Sequence, residues 1–181
     1  MCIRDRNGSD PKGYNTLMSD VDEIAKQLKR LSDADVPVLF RPLHEASGGW
    51  FWWGADGSEA YKKLWQAIYD KLTNEYKLDN IIWVWNGQAA NWYPGDEYVD
   101  IIGEDIYPGT RDYSAQSSKY LEATDYSPNG KIVALTENGC LFDLDKAFDA
   151  NTAWSYFGTW SGEFCISSSE KSVSYTHLTL P

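Results

Sequence analysis

The chain has 181 residues, 43% hydrophobic and 24% charged, enough to build one cored domain or part of a larger one. Sixteen Lys and Arg against 27 Asp and Glu give a net charge of −11. That balance speaks against nucleic acid or an anionic membrane as partner, since both attract basic patches, and no stretch reaches the roughly 18 continuous apolar residues of a membrane helix.

Residues 1–6 and 172–181 share no composition with the interior and are read as non-native artefact ends, leaving 7–171 as the native segment. Residues 15–34 place Leu17, Val21, Ile24, Ala25, Leu28 and Leu31 three and four apart, which predicts an amphipathic helix. A β-rich run follows over 36–45 and ends in His44-Glu45. A second helix is predicted over 58–77, with Ser58 as candidate cap. Strand-like runs then come at 81–86, 99–107 and 131–137, separated by weaker helical patterns around 114–124 and 143–150. An aromatic run over 152–164 reads as a fifth strand. The runs at 81–86 and 131–137 are nearly continuously apolar, as expected of strands covered on both faces. Alternation of such strands with helices predicts an α/β fold with a parallel sheet, open or closed into a barrel.

The chain holds nine Trp, twelve Tyr and six Phe, and six of the Trp (50, 52, 53, 83, 85 and 92) crowd together. Flat rings with a polar edge fill cores, and they also suit the faces of sugars. Cys140 and Cys165 have no metal-ligand spacing, so a disulfide or two buried thiols both remain open. His44-Glu45 opens like a zinc-protease helix motif, but position 48 is Gly, so no metal site is expected.

Four of the five strand runs finish in polar side chains: His44-Glu45, Asn86, Asp105 with Tyr107, and Glu137-Asn138. In a parallel barrel those ends form the active face. Period-two alternation puts Arg41, Leu43 and Glu45 on one strand face, and Val133, Leu135 and Glu137 on one face of another. Two Glu at separate strand ends are the minimal equipment for glycosidic cleavage, one donating a proton and the other ionised. The apolar neighbours of Glu45 (Trp50, Phe51 and Trp52) are expected to raise its pKa as an acid requires. Glu137, able to receive a hydroxyl from Tyr107, is expected to be the anion. Trp52, Trp53, Trp83 and Trp85 read as core or wall, and Glu104 and Glu163 as solvated or rim residues.

The fourteen residues from Arg41 to Gly54 resemble the acid/base signature of glycoside hydrolase family 26, the β-mannanase family. Ile81–Asn86, Gly103–Tyr107 and Leu135–Gly139 resemble its later strands in the same order. The resemblance implies a (β/α)₈ TIM barrel, present here only as a fragment of about strands 4 to 8. It implies a retaining endo-β-1,4-mannanase acting on mannan or glucomannan by double displacement. Glu45 would be the general acid/base and Glu137 the nucleophile, with carboxyls roughly 5–5.5 Å apart. His44, Trp50, Asp105, Tyr107 and Trp160 would bind substrate or hold the nucleophile region, although Trp154 lies close enough to be confused with Trp160. Arg41 and Asn86 would support them from behind. No cofactor or metal is called for. The partner would be a β-mannan-type polysaccharide, with no nucleic acid and no membrane, and the parent would be a secreted or cell-surface monomer. Alternatives are another β-glycanase of the same family, cutting mixed-linkage glucan or xylan, and a non-catalytic carbohydrate-binding protein.

Overall fold

A computed structural model describes residues 11–109 and 111–160. The two terminal segments read as artefacts, together with Cys165, Glu163, His177 and the last part of the fifth strand run, lie outside the described residues. The chain divides into two compact units, one running to Ile101 with Ser127–Asn129 added, the other comprising Ile102–Tyr126 and the chain from Gly130 onward.

In the first unit, helix α1 (Pro11–Ser32) leads to strand β1 (Val38–Phe40), helix α2 (Ser58–Tyr69) and strand β2 (Ile81–Trp85). β1 and β2 pair in parallel, with Val38 opposite Ile81 and Phe40 opposite Trp83, the crossover geometry expected when a helix intervenes. α1 buries Val21, Ala25 and Leu28, while Ile24 and Leu31 from the predicted stripe stay exposed. Tyr61, Leu64, Trp65 and Ile68 of α2 are buried. Trp83 is ringed by Phe40, Trp65 and Tyr69 at centroid distances of 5.4, 5.7 and 5.0 Å. Trp83 and Trp85 are thus core residues, as expected. Ser58 is not the cap: Gly57 holds that position without any side-chain bond, and Ser58 is already helical. Beyond Tyr69 the helix widens into a π-helical turn over Asp70–Glu75, so the predicted helix to 77 is really two segments.

The second unit carries β3 (Ile101–Ile106), α3 (Ser117–Thr124), β4 (Ile132–Asn138), α4 (Leu144–Asp149) and β5 (Phe157–Thr159). Sheet order here follows chain order. β4 and β5 are parallel, with Leu135 opposite Phe157 and Asn138 opposite Thr159 across a register slip. Ile106, Ala115, Leu135, Phe142 and Ala147 form one buried cluster, with Trp154 packed against it. α4 has the cap that α2 lacks, since the Asp143 carboxylate accepts from the backbone N–H of Asp145 and Lys146. Cys140 is a buried free thiol. Among the described residues no helix is long and apolar enough to cross a membrane.

Candidate active site

The predicted β-run over 36–45 ends early. β1 stops at Phe40, and Leu43 and Glu45 both take left-handed backbone angles, with φ of 53° and 52°. The period-two argument that put Arg41, Leu43 and Glu45 on one strand face therefore does not hold. Non-glycine residues in this region are strained, and such strain gathers at functional positions. The surroundings hold the strain in place: the Glu45 N–H donates to the Asn86 carbonyl at 2.8 Å, and the Ser47 N–H to the Gly87 carbonyl at 3.2 Å. The loop carrying Glu45 is thereby stitched to the end of β2. Asn86 is fully buried, and its Oδ1 accepts from the Arg41 guanidinium at 2.7 Å.

Around Glu45 stands an aromatic wall. The Trp50 Nε1–H donates to Glu45 Oε2 at 3.2 Å. The Trp53 Nε1–H donates to the His44 carbonyl at 2.8 Å, and the Trp53 ring stacks on Phe51 with centroids 4.4 Å apart. The His44 imidazole lies 4.8 Å from the Phe51 ring. Trp53 and Phe51 thus set the backbone and ring of His44, a part that the sequence pattern did not assign to them. Trp50 and Trp52 keep 65% and 43% of their surface exposed, which leaves aromatic area for a ligand.

In the second unit Glu137 lies near the C-terminal end of β4, and the Tyr107 hydroxyl donates to its Oε2 at 2.7 Å. Asp105 near the end of β3 accepts from the Thr136 hydroxyl at 2.6 Å, so neighbouring strands brace the two carboxylates' surroundings. Nothing in the sequence pattern marks Thr136 for this part, although it stands directly before Glu137. Both Asp105 and Glu137 are buried. Trp160 follows β5, with its N–H bonded to the Asn138 carbonyl at 2.9 Å, and stays about half exposed. Trp154 instead packs into the unit's core, its Nε1–H on the Ala115 carbonyl at 3.0 Å. The two tryptophans that were open to confusion are therefore distinct in environment.

With those contacts in view, residues 5–178 match the sequence profile of glycosyl hydrolase family 26. The chain belongs to that family. A mannan endo-1,4-beta-mannosidase of Thermothelomyces thermophilus is 44% identical over 160 residues, covering 87% of this chain and 32% of the relative. Mannan endo-1,4-beta-mannosidase B of Piromyces sp. is 39% identical over 86% of this chain and 27% of its own length. The crystal structure of the Podospora anserina GH26-CBM35 β-(1,4)-mannanase matches with a TM-score of 0.85 at 42% identity, over 91% of this chain and 37% of that one. A β-mannanase from a symbiotic protist of the termite Reticulitermes speratus, complexed with gluco-manno-oligosaccharide, matches with the same score at 38% identity, over 93% and 51%. The family 26 chain thus has the α/β barrel fold of these structures in part, and spans about a third of the length of the curated relatives it matches.

One expectation is overturned by burial. Glu104, read as a rim residue, is 1% exposed, and its Oε1 has no hydrogen-bond partner. Alternation along β3 gives Asp105 one face and Glu104 the other, and both faces of this strand are buried. Burial pushes the Glu104 carboxyl from 4.5 up to about 7, against the pull of Lys119 and of the Tyr126 hydroxyl, while Glu122 and Asp105 add to the rise. The folded protein therefore binds this proton more tightly than the unfolded chain. The stabilisation is complete below about pH 4.5 and is lost as pH rises through about 7. Glu104→Gln keeps the shape without the charge. Its thermal midpoint should exceed that of the parent at pH 8, by the equivalent of at most about 3 kcal/mol, and the gap should narrow sharply by pH 5. Melting curves at the two pH values check this.

Proposed function

We propose that this chain is the later part of the catalytic barrel of a retaining endo-β-1,4-mannanase that hydrolyses mannan or glucomannan. The observation that carries the reading is that each unit offers a carboxyl where a strand gives way to loop: Glu45 on a strained loop tied to the end of β2, and Glu137 near the end of β4. Each is gripped by an aromatic donor, Trp50 for Glu45 and Tyr107 for Glu137. The names of the relatives support mannan as the polymer, and the oligosaccharide held by one structural neighbour supports a mixed glucose and mannose backbone.

In the first step Glu45 gives its proton to the glycosidic oxygen while Glu137 attacks the anomeric carbon. The bond to the leaving sugar breaks and a glycosyl ester forms on Glu137. In the second step Glu45 takes a proton from water, whose oxygen displaces Glu137 and restores both groups. This order requires the two carboxyls to lie roughly 5–5.5 Å apart across one sugar. Tyr107 fixes the rotation of the Glu137 carboxyl, Asp105 braces β3 beside it, and His44, Trp50 and Trp160 offer surfaces to sugar rings. The two carboxylates do the proton and nucleophile work, so the reaction asks for no metal or organic cofactor. A polymeric substrate that cannot enter a cell supports a secreted or cell-surface parent, acting as a monomer.

The test is reducing-sugar release by a family-length enzyme carrying this chain, on mannan, glucomannan, lichenan and xylan. Mannan or glucomannan should be cut fastest. Preference for lichenan or xylan would move the substrate to another β-glycan, and binding without release would make the protein a non-catalytic binder. Glu45→Gln should lower the mannan rate by about 10²–10⁴-fold, the usual worth of a positioned general acid. An aryl mannoside whose leaving group departs unprotonated should be spared in its first step, and equal losses on both substrates would remove Glu45 from the acid role.

A further inference from the structure

Gly48 is a glycine whose backbone does not ask for one. It sits in the short 3₁₀ turn Ala46–Gly48 directly after Glu45, and its φ is not in the left-handed region. Its neighbour Gly49 is the opposite case, with φ of 73° and open space where a Cβ would stand. Gly49 meets a conformational need, and Gly48 a steric one. A Cβ at Gly48 would fall 1.9, 2.0 and 2.4 Å from Cζ3, Cη2 and Cε3 of Trp50, all far inside van der Waals contact. The six-membered edge of the indole therefore rests on the bare Cα of Gly48. The pyrrole edge of the same ring donates its Nε1–H to Glu45 Oε2 at 3.2 Å.

We infer that Gly48 is a positioning residue: by carrying no side chain it seats Trp50 against Glu45, and through that indole it fixes the carboxyl that donates the proton. The inference rests on the role proposed above for Glu45. With 65% of Trp50 exposed, a displaced ring has solvent to swing into, so a methyl at 48 moves the indole rather than unfolding the turn. Since Ala suits a helical turn at least as well as Gly, the substitution separates activity from stability.

The experiment compares Gly48→Ala, Trp50→Ala and the double variant in a family-length enzyme. Gly48→Ala should lower kcat/KM on mannan by about 10–100-fold, the scale of a small misplacement at a reacting group, while its thermal midpoint stays level or rises. The double variant should be no worse than Trp50→Ala alone, because the clash is gone with the ring. Unchanged kcat/KM in Gly48→Ala overturns the inference, as does a double variant whose losses multiply. Should Gly48→Ala fail to fold, recovery of folding in the double variant upholds the clash, and failure of both overturns it. A second readout is independent of turnover. The Trp50 indole N–H resonance should shift on Glu45→Gln in the parent background and cease to respond once Gly48 is Ala; a persisting response overturns the inference. An enzyme inert on every glycan would sink the proposed function, yet this resonance would still judge Gly48.

Discussion

Replacing Glu137 with Gln in a family-length enzyme should abolish mannan hydrolysis, by on the order of 10⁴–10⁶-fold in kcat, with little change in thermal midpoint. The side chain is nearly isosteric, and the site is built to tolerate it. Glu137 is 6% exposed and held by the Tyr107 hydroxyl at 2.7 Å, and an amide oxygen can accept that same bond. Buried hydrogen bonding is thus conserved while the negative oxygen that must attack carbon is removed. An amide cannot form the glycosyl ester, so the covalent route closes altogether. Substrate binding uses other groups, and affinity for a manno-oligosaccharide should survive within a few-fold. Measured by single turnover and by calorimetric binding, a variant that retains a tenth of the parent rate would show that Glu137 is not the nucleophile.

Much of this site is legible in the sequence because its parts sit where hydrophobic pattern changes to chemistry. Ile81–Trp85 and Ile132–Asn138 are strands as their apolar runs predict, because short, mostly buried runs of this kind suit strands covered on both faces. Tyr107 bonds Glu137 as expected. The parts that were not legible share a cause. A period-two rule presumes extended backbone, and it cannot register the left-handed turns at Leu43 and Glu45 that end the run. The turn at Glu45 is held by the bonds of Glu45 and Ser47 to Asn86 and Gly87, partners some forty residues away.

Glu104 was misplaced for a related reason. Two adjacent acids on a strand face opposite ways, and an acid on the face turned from the chemistry reads as solvated only while that face is open. β3 is buried along its whole length, so Glu104 lies in the interior, where burial pushes its carboxyl up to about 7. Gly48 is the extreme case, because nothing in the letters distinguishes a glycine that bends the chain from one that makes room for a ring. Only the position of Trp50 does.

The chain expressed by itself should be poorly soluble and should release no reducing sugar from mannan. Among the described residues β1 and β5 are the outermost strands, each with backbone groups that have no strand beyond them, and open edges of this kind recruit other chains. Large apolar side chains are exposed beside them. Leu39, in the middle of β1, is 52% exposed, with Val36 at 42% just before it and Ile24 and Leu31 of α1 at 44% and 39%. At the other end Phe157 of β5 is 39% exposed and Phe148 of α4 78%. Residues of this size stabilise a fold by about 1.5–3 kcal/mol each when fully buried, so leaving them wet forfeits stability and offers a sticky surface. The relatives matched here are about three times as long, which leaves ample chain in a complete enzyme to cover both edges. Two measurements separate stickiness from incompleteness. Leu39→Lys should raise the soluble yield, since a charged edge resists pairing, without bringing activity. Co-expression with the preceding segment of a family-length enzyme should restore both solubility and hydrolysis. A soluble, monomeric 181-residue chain that cuts mannan unaided would show that the two carboxyls and their aromatic donors need no further walls to work.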